Sequence, residues 1–333
     1  RRPPRSTLFP YTTLFRSEER VPEGPFLEAP PEPHPGPVDG ALLLEDLAQL
    51  FERFVYTGAE AIDALALWAA WTWFFDVFGV SPLLAVTSPT MRCGKSSVLS
   101  VLLHAARWTL ASSNITPSAL FRVVEAYRPT LLIDEADTFV GLSEEFRGLL
   151  NAGWTRDAAY TLRTEGDRVR EVRRFSTWCP KAVAAIGDLP PTVMDRAIRI
   201  RLRRKPKHVR RQSAFEPGAI ARAAGDIPNR LARWAIDAAF DVRAAEPPIP
   251  TELDDRAREN WRPLLAVAEV AGGHWPERAR RAALELSGEE HDEELGVLLL
   301  RHIREIFREQ GDPEGIATDD LLHGLVRRDD GPW

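Results

Sequence analysis

The chain has 333 residues, a formal net charge of -6 and two cysteines. That length supports one good core plus one or two smaller units. Two cysteines exclude a disulfide framework and fit a reducing cytoplasm. The acidic balance excludes nucleic-acid binding by global charge, so such contacts need local basic patches.

Residues 7–17, TLFPYTTLFRS, read as the in-frame translation of a sequencing-adapter oligonucleotide. Residues 1–17 are therefore set aside as an artefact. Residues 18–40, with PPEPHPGP, read as a proline-rich extended linker. Residues 41–80 hold the N-terminal helices, one by periodicity over 41–55 and a more buried one over 59–78. The most apolar stretch, ALALWAAWTWFF at 64–75, is bounded by Asp63 and Asp76. It is shorter than the ~20 residues a spanning helix needs, so no membrane segment is expected.

Residues 81–205 read as an α/β core with a parallel sheet flanked by helices. Pro82 opens a short apolar strand over 82–88. A helix follows over 96–108, then a second over 117–127 with Thr116 as N-cap. The strand 130–133 ends in acids. A helix over 144–152, a polar hairpin over 160–175 turning near Gly166, and strands over 181–186 and 197–202 complete the core. Residues 206–287 are a helical region, with helices over 217–244 and 253–286, the latter broken at Gly272–Gly273. Residues 288–333 form a small C-terminal unit, helical or winged-helix-like. It has an acidic linker over 288–294, a helix over 295–310 and a short helix capped by Thr318. No internal repeat is present.

The segment PTMRCGKSS, Pro89 to Ser97, joins a predicted strand to a predicted helix. That is the setting of a phosphate-binding P-loop. Backbone N–H groups of such a loop and its helix N-terminus converge on phosphate oxygens. Arg92, Cys93, Gly94, Lys95, Ser96 and Ser97 are the candidate nucleotide-binding residues. Gly94 allows close backbone approach, Lys95 places charge on the β and γ phosphates, and Ser96 ligates Mg²⁺. Pro89 stands where G-x-x-x-x-G-K-[ST] has its first glycine, and proline supplies no N–H.

TLLIDEAD, Thr130 to Asp137, is an apolar strand ending in two carboxylates. Asp134 is expected to hold Mg²⁺, and Glu135 to orient or deprotonate the attacking water. The expected cofactors are ATP and Mg²⁺. The interval from Lys95 to Asp134 leaves room for a helix, a strand and another helix, a compactness that resembles AAA+ and superfamily 3 helicase cores.

In ring ATPases an arginine beyond the next strand stabilises charge on the neighbouring subunit's γ-phosphate. Arg196 fits that role best, with Arg156 and Arg163 behind it. Two readings stand for Arg196: the trans-acting residue, or a partner of an acid such as Asp195 or Asp188. No polar sensor is named, because Gly187 and Asp188 occupy the strand end. Arg199, Arg201 and Arg203 alternate with Ile198, Ile200 and Leu202, and the basic run continues through Arg204, Lys205, Lys207, Arg210 and Arg211. A nucleic-acid surface and a solvated basic face both account for it, as they do for hairpin residues Arg163, Arg168, Arg170, Arg173 and Arg174.

The segments SPTMRCGKSSVLSVL, LLIDEADTF, LLNAGW, FSTWCPKAVAAIG, LPPTVMDRAIRIRLRRK and NWRPLLAVAEVAGGHWPERAR resemble a bacterial domain of unknown function. That family is found on mobile genetic elements, often C-terminal in primase–helicase-like proteins. The resemblance runs from Ala59 to the end. It implies an AAA+-like or superfamily 3-like ATPase core, a helical region and a small C-terminal unit; DNA as partner and a homo-oligomeric ring belong to the first of the two functions below. It also implies that the chain is cut at both ends, continuing beyond Pro332–Trp333. Two functions compete. One is a DNA-dependent ATPase, a helicase or primase–helicase component. The other is a nucleotide-switched regulatory or defence module without motor activity. A small-molecule kinase has no motif in its favour.

Overall fold

The computed structural model describes residues 30–113, 115–136, 144–165, 171–206, 209, 214, 216–288 and 295–328, the side chains of 165 and 295–298 excepted. The adapter-like segment, residues 18–29, Asp137, Gly166, Arg168, Arg170, Lys207, Arg210, Arg211, most of the acidic linker and Pro332–Trp333 lie outside the described residues.

Helix α1 spans Gly40–Phe54 and α2 spans Ala59–Trp71. Asp39 caps α1 by accepting the Leu42 N–H, satisfying a first-turn donor. Every residue of α2 from Ala61 to Trp71 is buried, as a helix apolar all round requires. It ends earlier than the expected 59–78. The Thr72 hydroxyl donates back to the Ala69 carbonyl at 2.6 Å, and Trp73 N bonds Ala70 O. The chain tightens into a 3-10 turn at Phe75–Val77. No helix among the described residues is long and apolar enough to cross a membrane.

The core follows as β1 (Leu83–Ser88), α3 (Lys95–Ala105), β2 (Thr109–Ser112), α4 (Pro117–Tyr127), β3 (Thr130–Ile133) and α5 (Glu144–Ala152). It continues through the hairpin β4 (Tyr160–Glu165) and β5 (Glu171–Ser176), then β6 (Lys181–Ile186), α6 (Pro191–Met194) and β7 (Ala197–Arg201). Five strands form one parallel sheet in the order β2-β3-β6-β1-β7, and β4-β5 pair separately as an antiparallel ribbon. Strand β2 fills the interval whose length the sequence allowed. Its four residues are half-exposed at the sheet edge, so no apolar pattern marks them.

Strand alternation sorts the core into two faces. Leu84, Val86, Leu132, Ala182, Ala184, Ile198 and Ile200 pack with α1, α2 and α3. Leu83, Ala85, Leu131, Ile133, Val183 and Ala185 pack with α4, α5, α6 and Phe175 of the ribbon. Both faces are covered, which is why the central strands read as continuous apolar runs.

The C-terminal helices are α7 (Ala219–Ala224), α8 (Ile227–Ala244), α9 (Asp255–Ala271), α10 (Trp275–Ser287), α11 (Leu295–Glu309) and α12 (Thr318–Val326). The helix expected over 217–244 is divided at Gly225, whose φ is 51°. The expected break at Gly272–Gly273 is present. Thr318 begins α12 but does not cap it: Ala317 holds the cap position with no side-chain bond. No strand occurs among the described residues of 295–328.

Two helical blocks far apart in sequence form one layer. Helices α8, α9 and α10 pack on α1 and α2. Phe74 meets Trp234 edge-on with ring centroids 5.0 Å apart, and Trp275 donates its indole N–H to the Ala41 carbonyl at 3.0 Å. Asp63, buried inside α2, takes a bidentate pair from Arg278 of α10, which also donates to Glu45 at 2.6 Å. Those carboxylates raise the Arg278 value above its ordinary one.

Lys181, at the start of β6, is also buried. Its ammonium donates to the Thr177 and Cys179 carbonyls, each at 2.9 Å. Burial lowers its pKa and pushes the neighbouring Cys179 thiol up, each group partly offsetting the other's shift.

Arg278→Met strands Asp63 inside α2 and should cost about 3 kcal/mol in denaturant unfolding. Arg281→Ala, which removes only an exposed pair with Glu60, should cost under about 0.5 kcal/mol. For Lys181 the folded pKa lies below the unfolded 10.5, so the folded state binds fewer protons across that window. Its contribution is present above 10.5 and lost as pH falls through the lowered value. Cys179 acts with the opposite sign above its ordinary 9.0. The stability difference between wild type and Lys181→Met carries the lysine together with its hold on Cys179, and should move in favour of wild type as pH rises from neutrality.

Candidate functional site

Because the sheet is parallel, β1, β3 and β6 all end on one side. The chain leaving β1 enters α3 on one face, while the chain leaving the adjacent β6 enters α6 on the other. Neighbouring strands whose connections part in this way open a crevice beyond their carboxyl ends.

The loop after β1 lines that crevice. Arg92 and Gly94 both adopt positive φ, 66° and 97°. Between them Cys93 turns inward and is buried, its thiol 3.5 Å from the Thr90 hydroxyl. The Ser88 hydroxyl, at the end of β1, donates to the Thr90 carbonyl at 2.8 Å and accepts from Lys95 Nζ at 2.7 Å. The lysine is thereby folded back over the strand end. Gly94 is the N-cap of α3 and supplies no side-chain acceptor, so no cap side chain occupies the first-turn N–H groups. With the helix dipole they favour an anion.

The acids reach the same place from β3. Asp134 Oδ2 accepts the Ser96 hydroxyl at 3.0 Å, and Oδ1 accepts the Glu135 N–H at 2.9 Å. Glu135 is exposed and has φ 55°, an unfavourable backbone state for a side chain of its kind. Two hard oxygen donors close together suit a hard cation that keeps several waters. No cluster of three or more His, Cys, Asp or Glu suited to a metal occurs among the described residues. A cation bound by Ser96 and Asp134 would take its remaining ligands from water or phosphate.

The structure thus gathers Gly94, Lys95, Ser96, Asp134 and Glu135 in one crevice. Cys93 is turned away from solvent under the loop, Arg92 is exposed beside it, and Ser97 lies in the first turn of α3. Arg196 is elsewhere. It precedes β7, whose Ala197 pairs with Leu83 at the amino end of β1, and its carbonyl accepts the Leu83 N–H. It lies about 17 Å along the strand from Ser88. Its guanidinium donates to the Thr192 carbonyl at 2.7 Å and pairs with Asp195 at 3.8 Å, the acid partner the sequence offered as its alternative reading. Asp188 instead pairs with Arg201 at 3.9 Å. Gly187, φ 72°, donates its N–H to the Ser88 carbonyl. Ser88, the lysine's anchor, carries no signal in the sequence, because its role comes from a fold-back of the loop.

Gly94→Ala places a Cβ at φ 97° in open space, so its cost is backbone strain alone, about 1 kcal/mol. Glu135→Asn, better suited to positive φ, should instead gain a few tenths of a kcal/mol. Urea unfolding of the two variants checks the opposite signs.

Comparison with known proteins places this geometry in context. Residues 199–333 match the family described as Protein of unknown function (DUF3631). A protein of Saccharopolyspora erythraea described as an uncharacterized 28.9 kDa protein in the xis 5' region is 37% identical over 131 residues, 38% of this chain and 49% of that protein. The chain therefore spans about half the length of that curated relative. Among solved structures, the NrS-1 C-terminal region overlays on 89% of this chain and 63% of its own, at 12% identity and TM-score 0.37. The JCV helicase overlays on 83% of this chain and 74% of its own, at 12% identity and TM-score 0.27. At such TM-scores these overlays decide neither fold nor activity. The family match begins within β7, so the loop and the acids lie outside it.

Proposed function

We propose that the crevice is a P-loop site that binds and hydrolyses Mg-ATP, within an AAA+-like or superfamily 3-like core acting on DNA as a ring of identical subunits. The observation that carries this reading is the contact between Ser96 and Asp134 at 3.0 Å, beside a lysine anchored at the end of β1. Two segments recognised separately in the sequence meet through this contact, which supports the reading.

In this reading the loop amides and the α3 N-terminus hold the phosphates. Lys95 leaves the Ser88 hydroxyl to take a phosphate oxygen. Ser96 and Asp134 would hold Mg²⁺, which neutralises charge between phosphate oxygens when bound. Glu135 orients the attacking water and accepts its proton. Arg196 lies too far along its own sheet to serve its own crevice, so its role is in trans, across a subunit boundary.

The ribbon β4-β5 is the DNA-contacting element of the proposal. It carries Arg163, Arg173 and Arg174 beside exposed Leu162 and Val172. Arg174 stacks on Tyr160 at 3.9 Å and Arg173 on Phe175 at 4.9 Å. Cations held on aromatic stems suit a phosphate backbone and stacked bases. The mobile-element setting rests on the motif resemblance, and the cytoplasmic one on the two cysteines.

A second reading, a nucleotide-held switch without turnover, is favoured by Pro89 at the loop entry. It is favoured too by Gly187 at the strand end, where a polar sensor would stand. One assay separates the two: ATP turnover with and without single-stranded DNA, alongside size-exclusion chromatography. Turnover that rises with DNA in an oligomer is the expected result, whereas tight ATP binding by a monomer without turnover supports the switch. Lys95→Ala should abolish nucleotide binding. Glu135→Gln should keep binding while turnover falls about 10²- to 10⁴-fold. Arg173→Ala with Arg174→Ala should shrink the DNA response. Wild-type protein that binds no nucleotide would sink both readings.

A further inference from the structure

A second polar cluster forms at the amino end of the sheet from three distant segments. Trp154, after α5, donates its indole N–H to Asn260 Oδ1 at 2.8 Å. Asn260 is buried on α9 and donates Nδ2 to the Asp195 carbonyl at 3.0 Å. One turn earlier on α9, Arg256 donates Nε to Asp195 Oδ2 at 3.1 Å and a second N–H to Glu259 at 3.0 Å. The Arg256 guanidinium lies 4.1 Å from the Trp154 ring centroid, and that of Arg196 lies 5.7 Å from the same ring.

Asp195 Oδ2 is shared: it accepts a hydrogen bond from Arg256 at 3.1 Å and makes only a longer ion pair with Arg196 at 3.8 Å. Arg196 keeps that long ion pair, a backbone carbonyl, an aromatic face and partial exposure. Its charge is therefore compensated loosely, the state required of a cation that must reach an anion beyond its own chain.

We propose that Arg256, supported by Asn260 and Trp154, is a positioning residue for Arg196: by taking the closer hydrogen bond to Asp195 it keeps the Arg196–Asp195 pair long, so that Arg196 stays available to a neighbouring subunit's nucleotide. This rests on the trans role proposed above. Asn260 joins the Asp195 backbone to the Trp154 platform, so the seating of α9 on the sheet sets the arginine. By this route the region beyond β7 acts on ATP chemistry without touching nucleotide.

Two readouts on the full chain test it. In nucleotide-free protein, phenylglyoxal modification of Arg196, followed by peptide mass spectrometry, should slow several-fold in Arg256→Ala as Asp195 closes on Arg196. The double variant Asp195→Asn/Arg256→Ala should regain the wild-type rate. In turnover, Arg256→Ala should lower kcat about tenfold with KM unchanged, and the same double variant should recover it. Mixing Arg256→Ala with Glu135→Gln protein should also restore activity, because the Glu135→Gln subunits lend an intact Arg196. Damage confined to a subunit's own folding would not be rescued by either route. The control mixture is Arg196→Ala with Glu135→Gln. If that control shows no recovery, the trans role falls and the proposal with it. If it recovers while Arg256→Ala labels and turns over like wild type, or the double variant fails to rescue, the positioning role alone is overturned.

Discussion

Burial of the parallel sheet on both faces is the constraint from which the rest follows. Its strands cannot leave backbone or apolar side chains exposed, so helices must cover each side. One side takes α3 with the N-terminal helices; the other takes α4, α5 and α6. The chain must change sides between β1 and β6, and that change opens the crevice where the loop and the acids meet. The site is thus a product of how the sheet is wound.

Within the crevice, backbone states do much of the positioning. Arg92, Gly94 and Glu135 all have positive φ, and only one of them is glycine. At Glu135 the local strain is held in place by its N–H bond to Asp134. Ser88 and Asp134 are the hubs. The first binds the loop and the lysine, and the second joins α3 to the end of β3.

At the far end of the sheet the helical regions add a second layer of order. The pairing of Arg278 with Asp63 ties α10 to α2, and Asn260 ties α9 to the segment before β7. Residues 215 and 65 positions apart are thereby joined. This coupling is physical and local, made of charge-assisted bonds and indole donors in a low-dielectric setting.

The amino-acid pattern determined the strands with continuous apolar runs, the capped or buried helices, and the order of loop and acids. These depend on neighbours in sequence, through periodicity, capping and turn chemistry. It located neither β2, half-exposed at an edge, nor α6, a single turn. It also overran the end of α2, where the Thr72 hydroxyl competes for a backbone carbonyl. Only the tertiary structure decided that Ser96 touches Asp134, that Ser88 anchors Lys95, and that Arg196 stands at the opposite end of its own sheet. It alone showed that Asp195 bonds Arg256 across some sixty residues of chain. Those partnerships depend on strand order and helix seating, which bring together groups that no sequence interval relates.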